Sequence, residues 1–148
     1  YKRQADDFIV SEEKGVTSDL VSAFEKNSKI QLSVMEIFGS EISNYGVVQY
    51  NPINGKVEGL VEKPEENLAP SNSASIGRYV LTAEIFDILE NQTVGKGGEI
   101  QLADAINILA KENKVETVKL KGNRFDCGSV KGYLAGINFV ANKLKINN

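Results

Sequence analysis

The chain has 148 residues, 41% of them hydrophobic and 25% charged, with a formal net charge of −3 at neutral pH, the composition of an ordinary globular protein that can bury roughly 70% of its unfolded surface without a disulfide or structural metal. One cysteine, Cys127, and no histidine exclude disulfide frameworks and the usual zinc sites. The acidic balance argues against a general nucleic-acid binder, and no run reaches the ~18 apolar residues that a membrane helix needs.

In chain order, Asp6-Asp7 precedes a short apolar run at residues 8–10 that reads as a segment lying just past the end of a strand. Residues 1–4 are polar where a buried parallel strand is near-continuously apolar, so the sequence reads as opening inside a larger domain. Leu20, Val21 and Phe24 recur at helical spacing and predict a helix over 17–26, with Thr17 or Ser18 as N-cap. Residues 30–38 alternate and are β-branched. The runs 47–50 and 57–62 flank Asn51-Pro-Ile-Asn-Gly55, a turn sequence, and together predict a hairpin. A strand over 75–81, a helix over 83–90 and a helix over 100–111 come next, the last with Leu102, Ala105, Ile106 and Leu109 on one face. Residues 115–120 predict the last strand and 130–144 the last helix. Strands and helices mixed in this way indicate a layered α/β fold with a mixed sheet, and the polar loop 63–73 with two of the three prolines is long enough to be functional.

Four clusters could carry chemistry. Two carboxylates at Asp6-Asp7 could hold a hard cation such as Mg²⁺ against phosphate oxygens, or could be a solvated turn. In Glu62-Lys63-Pro64 a carboxylate that accepts from sugar hydroxyls stands beside an ammonium that neutralises phosphate, and the proline biases Lys63 toward extended backbone; an exposed surface pair is the plain alternative. Gly95-Lys-Gly-Gly-Glu99 precedes a helix and could bring a ligand to backbone amides, but it fits neither a Walker loop nor G-x-G-x-x-G, and a loop with Glu99 in the first helical turn explains it equally. In Arg124-Phe-Asp-Cys-Gly128, Asp126 could share a metal site with Asp6 or simply cap a helix. Cys127 has no histidine to serve as its base, which speaks against a catalytic thiolate.

The order and wording of these strings resemble the bacterial UTP–glucose-1-phosphate uridylyltransferase family from about Asp6 to the end of the chain. The resemblance rests on Asp6-Asp7, Asn44-Tyr-Gly-Val-Val48, Gly59-Leu-Val-Glu-Lys-Pro64 and Ala69-Pro-Ser-Asn72. It continues through Gly77-Arg-Tyr-Val-Leu81, Gly98-Glu-Ile-Gln-Leu102 with Asp104-Ala-Ile106, and Phe125-Asp-Cys-Gly128 with Gly132-Tyr133. It implies a mixed, mainly parallel sheet of the nucleotide-diphospho-sugar transferase, Rossmann-like type. Residues 1–148 would then be the C-terminal, sugar-phosphate-binding part of a single nucleotidyltransferase domain, truncated at its N-terminus.

The same resemblance implies formation of UDP-glucose and pyrophosphate from UTP and glucose-1-phosphate with Mg²⁺, in a homo-oligomer, while charge, cysteine count and hydropathy read as a cytoplasmic protein that binds neither nucleic acid nor membrane. Carried over by motif, Asp6 and Asp126 would bind the metal, Glu62 the glucose hydroxyls and Lys63 the sugar phosphate, with Lys63 and Asp126 as the catalytic pair. Gly46 would offer its N–H to a sugar hydroxyl, Ile76 and Gly77 would line the same pocket, and Glu99 and Gln101 would stand near it. Two departures are visible. The family's N-terminal glycine-rich triphosphate loop has no counterpart here, so the chain by itself is expected to be inactive. After Asp126-Cys-Gly128 the family's lysine is displaced by one position, with Ser129-Val130 preceding Lys131. Because base readout belongs to the absent part, another sugar-1-phosphate nucleotidyltransferase using dTTP, CTP or ATP stays open, as does a non-catalytic sugar-phosphate-binding or oligomerisation module.

Overall fold

The computed structural model describes residues 7–12, 14–93 and 98–145. Its elements are β1 (Asp7–Ser11), α1 (Val16–Asn27), β2 (Ile30–Glu36), β3 (Gly46–Tyr50), β4 (Val57–Glu62), β5 (Ser73–Val80), α2 (Glu84–Asn91), α3 (Leu102–Lys111), β6 (Val115–Lys119), β7 (Gly122–Asp126) and α4 (Val130–Lys143). Short 3₁₀ turns occupy Gly39–Asn44 and Glu66–Leu68. The chain divides into two compact units, one over residues 16–120 and one from residues 1–15 with 121–148.

The larger unit is built on a five-stranded sheet in the order β4-β3-β5-β2-β6. β2 lies inside this sheet and is buried from Ile30 to Val34. Its apolar residues Ile30, Leu32 and Val34 alternate with Gln31 and Ser33, and burial on both faces of the strand takes in these polar positions as well. The large polar residue in this buried stretch, Gln31, satisfies its amide by donating to Asn27 Oδ1 and the Lys29 carbonyl, both at 3.0 Å. The main core joins Ile30, Leu32 and Val34 of β2 to Val48, Val57 and Leu60 of the β3–β4 hairpin, and to Ala105, Ile106 and Leu109 of α3. Those α3 positions fall on one helical face, as their spacing requires. A smaller cluster, Ile37, Ile42, Val47 and Ala74, packs beside the start of β3.

The mixed α/β class expected from the sequence is observed, but the balance of pairing differs from a mainly parallel sheet. Among the described residues of this sheet β2–β6 pair parallel, while β3–β4, β3–β5 and β2–β5 are antiparallel. The reason is local: the tight turn after β3 and the return of β5 alongside β2 both reverse the chain. Within the turn, Asn51 Oδ1 accepts from the N–H groups of Ile53 and Asn54, and Gly55 takes φ +69°, the chemistry its sequence announces.

In the smaller unit β1 and β7 pair antiparallel, with Asp7 opposite Asp126 and Ile9 opposite Arg124. Residues 8–10 are therefore strand, not the segment after one. β7 is an additional strand beyond the one expected at 115–120. α4 covers this ribbon, and Gly136 is buried where a Cβ would already touch Phe125 and Phe8. Phe125 stacks with Phe8 and tilts against Phe139 of α4, with ring centroids 6.2 and 5.2 Å apart.

Two helix starts also differ from expectation. α1 begins at Val16, so Thr17 and Ser18 lie inside its first turn and not at the cap position, and α3 begins at Leu102 with Gln101 as its cap residue. Among the described residues no helix is long and apolar enough to cross a membrane.

Candidate sugar-phosphate site

Three of the larger unit's candidate residues, Gly46, Glu62 and Lys63, stand at the end of the β3–β4 hairpin away from its turn. Gly46 stands directly opposite Glu62 in register. A Cβ on Gly46 would come within 3.1 Å of Glu62 Oε2 and 3.3 Å of Leu60 Cδ2. The Glu62 carboxylate thus lies over the Gly46 backbone, close enough that a side chain at position 46 would push it aside by a few tenths of an ångström. The register brings together two residues that the motif resemblance assigns to one site.

Lys63 comes next in the chain with φ +46°, and its N–H donates to the Tyr45 carbonyl at 3.0 Å. This corrects the expectation that Pro64 would hold Lys63 extended. The left-handed turn costs a non-glycine residue about 1–2 kcal/mol, and the backbone bond to Tyr45 together with burial of Pro64 holds it in place. Both side chains, Glu62 and Lys63, are exposed.

The start of α3 forms the facing wall. A cleft of ≈ 260 Å³ is lined by Leu60, Glu62, Gln101, Ala103 and Asp104. Gln101 therefore does meet Glu62 across a small-ligand-sized space. Asp104 joins it unannounced, although its position three residues after Gln101 at a helix start is the spacing that puts two side chains on one face. Glu99 is exposed and does not line this cleft; the Gly95-Lys-Gly part of its string lies outside the described residues. A larger cleft, ≈ 510 Å³, sits by the hairpin turn around Asn51, Asn54 and Lys56 and contains none of the candidate residues.

Ile76 and Gly77 occupy an irregularity in β5. Leu32 faces Tyr79 and Val34 faces Ser75, so the single residue Ser33 is set against three, Ile76 to Arg78. Gly77 takes φ +68° there with open space around it, while Ile76 is fully buried. A bulge of this kind breaks the ladder and re-aims the backbone, which is how sheets often present groups to a ligand. Ile76 serves the packing and cannot itself offer much surface.

In the smaller unit Asp126 ends β7. Its Oδ1 accepts from the Gly128 N–H at 3.0 Å, while Ser129 caps α4 by accepting from Gly132 N–H at 3.1 Å. Capping thus falls to Ser129 rather than Asp126. Asp126 is exposed and keeps its second carboxylate oxygen out of any protein hydrogen bond among the described residues. Asp7, in contrast, is committed to an ion pair with Arg124, both side chains being largely buried. Asp6 lies outside the described residues.

As for a metal, the described residues contain no group of three or more acidic, cysteine or histidine side chains. An exposed single carboxylate fits a Mg²⁺ that takes one or two protein oxygens and completes its shell with phosphate and water. It does not fit a cation held wholly by protein. Cys127 is partly buried and unpaired by any disulfide.

The chain is similar to several known nucleotidyltransferases. A UTP–glucose-1-phosphate uridylyltransferase of Pseudomonas aeruginosa is 43% identical over 139 residues, 91% of this chain and 50% of that protein. One from Streptococcus pyogenes is 43% identical over 125 residues, 82% of this chain and 41% of that protein. The chain spans about half the length of the curated relatives it matches.

Among solved structures, a UDP-glucose pyrophosphorylase complexed with UDP-glucose superposes with a TM-score of 0.83 at 36% identity, over 93% of this chain and 54% of that one. The UTP-bound enzyme from Acinetobacter baumannii gives 0.79 at 32% identity, over 93% and 49%. Residues 5–143 match the nucleotidyl transferase family, a span that takes in every described element, and the chain belongs to that family.

Proposed function

We propose that this chain supplies the sugar-phosphate side of an enzyme that makes UDP-glucose and pyrophosphate from UTP and glucose-1-phosphate. The observation that carries the reading is the Glu62 carboxylate, set against Gly46 in the neighbouring strand, facing Gln101 across a small cleft and followed in the chain by the exposed Lys63. The relatives named for this reaction, and the neighbours that hold UDP-glucose and UTP, support it.

In this reading Glu62 accepts hydrogen bonds from the glucose hydroxyls, and the Gly46 backbone approaches the sugar because no Cβ intervenes. Gln101 and Asp104 supply further polar contacts from the opposite wall. The Lys63 ammonium sits against the sugar phosphate, whose oxygen attacks the α-phosphorus of UTP. That forms the new P–O bond as the bond to the β-phosphate oxygen breaks and pyrophosphate leaves. Asp126, with Asp6, would hold Mg²⁺. The metal's contribution is neutralisation of phosphate charge, the largest electrostatic obstacle to bringing two anions together.

Since the side chains perform no covalent chemistry, their contribution is positioning and charge, as in phosphoryl transfers generally. We extend the reading to a homo-oligomer, supported by the exposed apolar side chains of α4, Tyr133, Leu134 and Ile137, and to the cytoplasm, with which a single cysteine outside any disulfide is consistent.

The test is pyrophosphate release by the complete gene product that contains this chain, with glucose-1-phosphate and each of UTP, dTTP, CTP and ATP. The reading expects UTP to be preferred. Equal or greater turnover with another nucleotide would sink the uridylyl assignment.

A further inference from the structure

Among the described residues β4 is an edge strand of the larger unit's sheet, with no strand paired to its outer side to satisfy its backbone. At Leu60 that role is filled by a side chain. The Leu60 N–H donates to Asn107 Oδ1 at 2.5 Å, and Asn107 Nδ2 donates to the Leu60 carbonyl at 3.1 Å. The carboxamide thus stands where a further strand's peptide group would be, and closes a two-bond ring with a single residue. Unpaired edge groups are commonly left to solvent. Here one pair is used to lock the middle of α3 to the strand.

The lock has neighbours on both sides. Gly59 precedes Leu60, and a Cβ there would fall 2.9 Å from Asn107 Oδ1, so the close approach of helix and strand requires a glycine. Two residues beyond Leu60 is Glu62, and one to two helical turns before Asn107 are Asp104 and Gln101. These residues, with Leu60 itself, line the ≈ 260 Å³ cleft. The clamp is therefore the fixed point from which both walls of the cleft project.

We propose that Asn107 is a positioning residue that sets the width of the sugar cleft by holding α3 at a defined distance from β4. It touches no substrate. It acts through Glu62 on one wall and Gln101 with Asp104 on the other, so it governs how well a hexose phosphate is gripped. This inference rests on the sugar-site reading above. Apolar packing by Leu109 and Ile106 supplies much of the attraction between α3 and the sheet, but its contacts are individually weak and mark no single donor–acceptor register. The paired hydrogen bonds have one, since donor and acceptor must each find its complement.

The experiment uses the complete gene product and reads the KM for glucose-1-phosphate separately from the KM for UTP, with thermal unfolding in parallel. Asn107→Ala is expected to raise the KM for glucose-1-phosphate by about tenfold while the KM for UTP stays within about twofold, since sugar contacts and not nucleotide contacts depend on the clamp. Asn107→Asp, which can still accept from the Leu60 N–H but sets a carboxylate oxygen against the Leu60 carbonyl where the amide donated, is expected to give a shift in the same direction at least as large.

Gly59→Ala leaves Asn107 intact and pushes on it from the strand side, so it should reproduce the selective rise and guards against failure of Asn107→Ala to fold. Lower melting temperature with both KM values unchanged in the folded variants would overturn the inference and leave Asn107 as a structural residue. A parallel rise of both KM values would overturn it too. A wild-type protein that forms no UDP-glucose at all would instead bring down the sugar-site reading, and this inference with it.

Discussion

Gly132 and Asp126 are in such close contact that a Cβ on Gly132 would fall inside the main-chain carbonyl of Asp126. The first turn of α4 and the end of β7 are thus held together at a point where no side chain fits, and the same residue supplies the N–H that Ser129 caps. Gly132→Ala is expected to force the helix start away from the strand and to destabilise the protein by about 1–3 kcal/mol or more, the range for overpacking against rigid backbone. Urea unfolding of the variant should show a lower midpoint. An unchanged midpoint would mean that the β7–α4 corner yields easily and is not the fixed seat of Asp126.

The charged residues of the two units should fail in different ways. In the complete gene product, Lys63→Ala should remove a charge-assisted contact of about 1.5–3 kcal/mol, lowering catalytic efficiency by one to two orders of magnitude in a manner that responds to glucose-1-phosphate. Asp126→Ala should produce a defect that shrinks as Mg²⁺ is raised. Near-wild-type kinetics for both would return Lys63 to the status of an exposed lysine and Asp126 to that of a turn residue.

Lys114 gives a pH signature unrelated to catalysis. Its ammonium is held above the ordinary lysine range by hydrogen bonds to Glu112 first and Glu84 second, with burial opposing them slightly. A raised folded-state pKa means that its contribution is fully present below the unfolded lysine value and is lost as pH climbs through the higher folded one. Unfolding midpoints followed from neutral into alkaline solution should therefore fall more for the wild type than for Lys114→Met. Identical alkaline profiles would show that this exposed cluster contributes nothing measurable.

The chain on its own should have no measurable turnover, because it spans about half of its relatives and carries no glycine-rich triphosphate loop of the kind the family resemblance calls for. It should also self-associate through the apolar groove formed by Phe8, Tyr133, Ile137 and Val140, whose lining is almost wholly apolar. Sedimentation of the purified chain at increasing concentration checks this. UDP-glucose synthesis by the 148-residue chain, or a concentration-independent monomer, would contradict it.

Much of this arrangement is legible in the sequence because it is written in local chemistry. The hairpin comes from alternation around Asn51-Pro-Ile-Asn-Gly55, and α3 from the spacing of Ala105, Ile106 and Leu109. The features that escape a sequence reading depend on partners distant along the chain. β7, Gly-Asn-Arg-Phe-Asp, has too few apolar residues to read as a strand and is recognisable only once β1 pairs with it. The left-handed Lys63 escapes because its backbone partner is Tyr45, and the proline rule, a local preference, is overridden by that contact. Asn107 escapes entirely, since a helix-surface asparagine carries no mark of the strand backbone 47 positions away that it holds.

Following the phosphorus atoms tests the central claim most directly. The complete gene product would be given Mg²⁺, UTP labelled in its β- and γ-phosphates, and glucose-1-phosphate carrying a different phosphorus label. If the phosphate bound beside Glu62 and Lys63 attacks the α-phosphorus of UTP, the sugar-phosphate label appears in UDP-glucose and the UTP label leaves in pyrophosphate. Absence of labelled UDP-glucose, or retention of the UTP β-label in the sugar nucleotide, would contradict the account.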